Sequence, residues 1–222
     1  MSIQKQQRAL LVVSQVTRGI SNGQQWLYRF IEHSGRGVVE STLKDDYGDY
    51  ITLYDQSATK ANLLNTLKST GAKATIKEID LIVMLHGTPN VLVFHEGNQN
   101  MSTLKTEIVT LNLKGKLRMV YSTTCFGESH ADDFVAAGFN AAIGAVGVNT
   151  NAAVELPVFL NFWSWNWRLR DALASAESPL TRIPADEAAK AYARTNHLSW
   201  ADAVNSDKVI RGDGNIKIDA NV

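Results

Sequence analysis

Cys125 is the only cysteine among 222 residues, and it stands in residues 120–130 (VYSTTCFGESH), where an apolar run gives way to small and polar side chains. A thiol becomes a useful nucleophile when its thiolate is accessible, a base is close, and a helix start adds partial positive charge. Ser129 with Asp132 three residues on has the capping-box spacing, so a helix is expected to start just beyond the thiol. The base is sought in residues 79–87 (IDLIVMLHG), where His86 ends an apolar run 125 − 86 = 39 residues before the cysteine. Gly87 has no side chain, so its amide can face a bound carbonyl and, with the amide of Cys125, form an oxyanion hole. Gly127 would let the chain turn tightly beside the nucleophile.

Each residue alone has a simpler reading. A lone cysteine at a strand end is a small buried hydrophobe, and a lone histidine there is a hydrogen-bonded core or edge residue; only the pairing gives either one a chemical role. His130, at a helix start, is expected to point away from the thiol, and His33, His95 and His197 to face solvent.

Positioning the pair requires two neighbouring strands. Residues 8–16 (RALLVVSQV) read as a buried first strand, followed by the breaker-rich TRGISNG and a helix over 24–31. Residues 50–54 (YITLY) alternate as a second strand, after the acidic DDYGD of 45–49, read as a solvated loop. Residues 57–71 form a helix, capped by Ser57 or Thr59 and stopped by Gly71. Residues 79–85 are a continuous apolar run, the mark of a central parallel strand covered on both faces, ending at His86. A short hairpin (VLVF, the turn HEGNQN) and a helix then lead back to a strand at 117–121. A further strand follows at 141–148, then a long helix running through the tryptophans. Helical pieces at 186–194 and 200–204 precede a turn and closing strand in VIRGDGNIKI. The alternation of strands and helices specifies an α/β fold with a mostly parallel central sheet. A right-handed crossover makes the His86 and Cys125 strands neighbours, with both residues at the carboxyl ends where such sheets place their sites.

Composition narrows the partners. Lysine plus arginine equals aspartate plus glutamate at 22 each, so no net field argues for nucleic acid or an anionic surface. One cysteine makes no internal disulfide, and no apolar run approaches the ~20 residues of a membrane span. A cytoplasmic protein and a single domain over residues 1–222 are the expectations. Trp163, Trp165 and Trp167 alternate, which reads as packing against the sheet edge or as an exposed patch for a partner. The RGD at 211–213 reads as a turn.

The blocks DLIVMLHG and VYSTTCFGES resemble the two signature blocks of the caspase-like (clan CD) cysteine peptidases, which include caspases, metacaspases, legumain, clostripain, gingipain, separase and CHAT domains. SATKANLLNTLK resembles the helix before the histidine strand in that clan, AAGFNAAIGAVGV its helix and strand after the cysteine, and VIRGDGNIKI its closing segment. The resemblance implies a three-layer α/β/α caspase-like fold and peptide hydrolysis through a thioester. In it Cys125 attacks, His86 protonates the leaving amine, and the Gly87 and Cys125 amides hold the oxyanion. No metal or other cofactor is required; calcium activation, known in some members, has no EF-hand pattern to support it.

In that clan the residue two before the cysteine lines the pocket for the substrate residue preceding the cut, and it is often acidic. Here it is Thr123, so an arginine or lysine preference has no support from that position. Glu128, Asp132 or Asp133 would supply a charge if directed inward, and Asn149, Thr150 and Asn151 are the other candidate substrate-binding residues. The implied partner is a protein or peptide substrate, with a regulatory protein or a second copy as further candidates. Two rivals stand beside the peptidase reading: a CHAT-like signalling or binding module of the same fold, and a cysteine hydrolase acting on a small amide or ester.

Overall fold

The computed structural model describes residues 2–18 and 25–221. β1 (Arg8–Gln15) is buried along its whole length because it lies between two parallel neighbours, β2 (Asp49–Tyr54) and β3 (Glu78–Thr88). On the far side of β3, β6 (Leu117–Ser122) and β7 (Ala141–Ala145) continue in parallel, and β8 (Lys208–Gly212) closes that edge antiparallel. The sheet order is β2-β1-β3-β6-β7-β8, with the hairpin β4 (Val91–Phe94) and β5 (Gly97–Asn100) attached to the end of β3.

Successive strand side chains point to opposite faces, and the sheet builds one apolar layer on each. Leu11, Val13, Leu81, Val83 and Val120 meet Leu63 and Leu67 of α2 (Lys60–Gly71), Leu104 and Ile108 of α3 (Met101–Thr110), and Phe134 of α4 (Gly127–Ala136). Leu10, Val12, Ile82, Met84 and Tyr121 meet Val39 of α1 (Gln25–Leu43), Phe159 and Trp163 of α5 (Ala152–Ser164), and Leu169 of α6 (Leu169–Ala176). The result is a three-layer α/β/α fold about a mostly parallel sheet, as the alternation of elements requires. α7 (Pro179–Thr195) lies against the short turn at Ala201–Ala203.

A buried polar cluster sits within this core. Asp80 on β3 and Arg118 on β6 are both fully buried, and the guanidinium binds the carboxylate through two nitrogens, at 2.9 and 2.6 Å. The Tyr47 hydroxyl donates to the same carboxylate and accepts from the Trp163 indole at 3.2 Å, while Arg118 also donates to the Ile218 carbonyl. Burial alone would lower the Arg118 pKa, but Asp80 outweighs it and the pKa is raised, so the guanidinium stays charged. The pairing of β3 with β6 shifts register here: Ile79 faces Leu117, and Asp80 faces Met119.

Several local expectations are corrected. β3 runs on through His86 to Thr88, because β4 folds back on it and pairs His86 with Val93 and Gly87 with Leu92. Residues 97–100 of the expected turn form β5. Thr59 caps α2, but Gly71 does not stop it in a left-handed turn; Ala72 ends it in a right-handed one, and a Cβ at Gly71 would fall 2.2 Å from Leu113. α4 starts at Gly127, so Ser129 is inside it. The helix after β7 ends at Ser164 and leaves Trp165 and Trp167 exposed, whereas Trp163 is wholly buried. At the C-terminal end the strand precedes the turn, and the 200–204 helix is a single 3-10 turn. The loop expected at 17–23 lies, from residue 19 on, outside the described residues, as does Gln24.

Candidate active site

The register of β3 on β6 brings the strand ends that carry His86 and Cys125 level. Val83 faces Ser122, and His86 and Cys125 each lie three residues further on (86 − 83 and 125 − 122), at adjacent strand ends. The Thr123 amide still donates to the Val83 carbonyl at 2.9 Å, which carries the pairing one step beyond β6. Gly87 then comes so close to the cysteine that a Cβ there would sit 2.6 Å from the Cys125 carbonyl oxygen. Any larger residue would displace the segment that carries the thiol.

Cys125 is half-buried. Burial pushes its thiol pKa up, against the amide of Asn149, the charge of Lys208 and its own amide, which all pull it down. The chain turns into α4 through Phe126, in the left-handed region at φ 55°, ψ 28°; the sharp turn expected at Gly127 is therefore one residue earlier. Gly127 serves close packing instead: its absent side chain leaves room for β7, since a Cβ there would meet the Gly144 Cα at 2.8 Å.

His86 is held by a backbone carbonyl. Its Nε2 lies 2.6 Å from the Val16 oxygen, and because a carbonyl only accepts, Nε2 carries the proton and Nδ1 is left as the basic nitrogen. The Val16 segment is itself anchored by Glu32 of α1, whose carboxylate accepts from the Val16 amide at 3.3 Å and the Ser14 hydroxyl at 3.1 Å. Burial lowers the His86 pKa, with the Val16 carbonyl and Glu32 opposing. The Tyr28 ring covers the imidazole at 5.6 Å between centroids. Burial and then the nearby Cys125 push the Tyr28 phenol up. Among the described residues no hydrogen bond joins His86 to Cys125.

His130 turns its ring to the end of β3. It is fully buried, with Nε2 donating to the Thr88 carbonyl at 2.9 Å and Nδ1 beside the Thr124 hydroxyl at 3.2 Å. Both ring nitrogens are therefore occupied in tying the end of β3 to the segment before Cys125. His33 and His197 are exposed as expected, but His95 is only partly so.

The candidate substrate residues divide. Thr123 lines an apolar cavity together with residues of α1 and α5. Asn149 lies behind the thiol, its side-chain amide donating to the Thr123 carbonyl at 3.1 Å. Glu128 is instead bound by Arg211, which also holds Asp132 at 3.1 Å, and Asp133 is bound by Lys105 at 2.6 Å. All three carboxylates have cationic partners on neighbouring elements. The Thr150 hydroxyl is held by Asp186 at 2.7 Å within a cluster that includes Ser206. The side chain of Asn151 is buried and, among the described residues, has no hydrogen-bond partner. A larger charged cleft of about 340 Å³ along α7 contains neither His86 nor Cys125.

Sequence reasoning missed Val16, whose contribution is a main-chain oxygen that no residue type announces. It also missed Glu32 and Lys208. The Lys208 ammonium is buried between the Ser122 carbonyl at 3.3 Å and the Glu155 carboxylate at 3.6 Å, beneath the strand that delivers the thiol. Glu177, pushed up to about 7 by burial, accepts from the Lys208 amide. Among the described residues, no three histidine, cysteine or carboxylate side chains come together as metal ligands, and no helix is long and apolar enough to cross a membrane.

No family model and no curated protein sequence matches the chain. Solved structures do. The chain is similar to caspase-1 from Spodoptera frugiperda at a TM-score of 0.57 and 9% identity, covering 96% of this chain and 88% of that one. A secreted C11 cysteine protease from Bacteroides thetaiotaomicron, solved with an irreversible peptide inhibitor, aligns at a TM-score of 0.49 and 9% identity over 76% of this chain. The chain spans 56% of the length of that protease. The fold is caspase-like.

Proposed function

We propose that this chain is a cysteine endopeptidase whose nucleophile is Cys125 and whose proton carrier is His86. The observation that carries the reading is the level placement of the two residues on adjacent strand ends, with the imidazole locked by Val16 in the tautomer that leaves Nδ1 basic. In the acylation step Sγ forms a bond to the scissile carbonyl carbon while its proton passes to His86. The C–N bond then breaks, the amine leaves with that proton, and a thioester remains. Water adds to the thioester, the acid departs and the thiol is restored. The Gly87 and Cys125 amides are the donors for the oxyanion, which lets the chain work without a metal at that step.

An acyloxymethyl-ketone peptide probe tests the reading directly, since it alkylates only a thiol set up to attack a peptide carbonyl. The expected outcome is covalent labelling of wild type at Cys125, mapped by peptide mass, and none of Cys125→Ala. A binding module of the same fold would bind peptides without labelling, and a small-amide hydrolase would label with simple acyl electrophiles but not with peptides.

The pH profile follows from burial. Burial disfavours the imidazolium, so His86 stays a base down to below the ordinary 6.5, and it disfavours the thiolate, so Cys125 keeps its proton to above 9.0. The competent pair, thiol and neutral imidazole, therefore spans the interval between. Plotted against pH, kcat/KM is expected to be flat between those values, with its acid midpoint below 6.5 and its alkaline midpoint above 9.0. An acid midpoint above 7 would be incompatible with His86 as the base in this setting.

A further inference from the structure

The cavity beside the dyad has a composition that selects its occupant. It measures about 120 Å³ and is walled by Val38 of α1, Met84 of β3, and Ala152, Leu156 and Pro157 of α5, with Thr123, two residues before Cys125 in the chain, also on the wall. Neither His86 nor Cys125 lines it, but Val16, whose carbonyl holds His86, does, and so joins the cavity to the imidazole through one residue. Gly35 of α1 makes the space: a Cβ there would fall 2.2 Å from the Met84 methyl, which is the adaptable face of the cavity.

We infer that this cavity receives the side chain of the substrate residue on the acyl side of the cut, and that it selects an apolar side chain of four heavy atoms, such as that of leucine or methionine. The inference rests on the peptidase reading. Size sets the upper limit, because an apolar cavity of about 150 Å³ is what accommodates benzene, and this one is smaller. Chemistry excludes acidic residues: among the described residues the only charged group on the wall is Glu32, and no cation lines the cavity. Glu32 does not create a site for lysine or arginine either. Its two carboxylate oxygens are turned to β1, one accepting from Ser14 and the other from Val16, in the service of the segment that holds His86. A cation would have to leave water for a carboxylate whose donors are already in place.

A set of fluorogenic peptide amides differing only at the acyl-side residue tests this on the wild-type protein. Leucine or methionine is expected to exceed alanine, aspartate, arginine and phenylalanine in kcat/KM by about tenfold or more, since each methylene in such a pocket is worth about 10- to 200-fold. Ala152→Leu, which fills the cavity, is expected to lower the leucine-to-alanine ratio at least tenfold, a ratio that loss of folded protein does not change. If arginine or lysine ranks first and Glu32→Gln removes that preference, or if aspartate ranks first, the assignment is overturned while the peptidase reading stands. If no amide is cut and the ketone probe fails to label Cys125, the peptidase reading falls and takes the pocket with it.

Discussion

Replacing His86 with alanine is expected to lower kcat/KM on a peptide amide by about 10²- to 10⁴-fold, the range a positioned general acid–base contributes. The reason lies in the resting state of the nucleophile. Burial keeps Cys125 protonated at neutral pH, so attack needs an acceptor for the thiol proton and the leaving amine needs a donor. In the proposed mechanism the imidazole supplies both from Nδ1, with Nε2 fixed on Val16. Without it, attack depends on the small thiolate fraction alone. The residual rate of His86→Ala should then climb about tenfold per pH unit until the raised thiol pKa is passed, where wild type is flat. That change of slope separates a proton carrier from a residue that merely braces the site. A loss below tenfold, or an unchanged profile, would remove His86 from the mechanism.

The second large effect concerns stability. Asp80→Ala is expected to cost about 3–5 kcal/mol, because it leaves the fully buried Arg118 guanidinium without its bidentate partner and strips the Tyr47 hydroxyl of its acceptor. Urea unfolding of wild type and variant, compared at equal slope, measures it. The paired replacement Asp80→Leu with Arg118→Met is the control: removing both charges together is often neutral, so most of the loss should return. A single-variant cost under 1 kcal/mol would mean that water reaches the cluster on opening and that the pair contributes little.

The parts of the molecule that were legible in the sequence are those governed by period and order. The apolar runs at 8–16, 79–85 and 117–121 became β1, β3 and β6, and the parallel pairing of the last two set the strand ends that carry His86 and Cys125 side by side. What failed was decided by tertiary partners. The hairpin that prolongs β3 past His86 supplies backbone hydrogen bonds that no local pattern encodes. Glu128, Asp132 and Asp133 looked available until β8 and α3 brought Arg211 and Lys105 against them. Ser129 has the residue type of a cap, yet the left-handed Phe126 starts the helix three residues earlier than a Ser129 cap would, and the hydroxyl instead donates to the Phe126 carbonyl and accepts from the Asn90 amide. The selectivity cavity drew on α1 and α5, whose approach to the strand ends is a matter of layer packing rather than of any motif.

The register shift between β3 and β6 sets which residue stands level with His86. From Leu117 to Met119 β6 takes two steps while β3 takes one, from Ile79 to Asp80, so Arg118 is an extra residue in the count. Counted without it, Thr124 would stand level with His86, and every side chain beyond would be turned to the opposite face of the sheet. The thiol would then be out of phase with its base by one residue. The buried Asp80–Arg118 pair sits at that extra residue. An ion pair at the far end of two strands thus acts as the index mark from which the chemistry at their other end is measured.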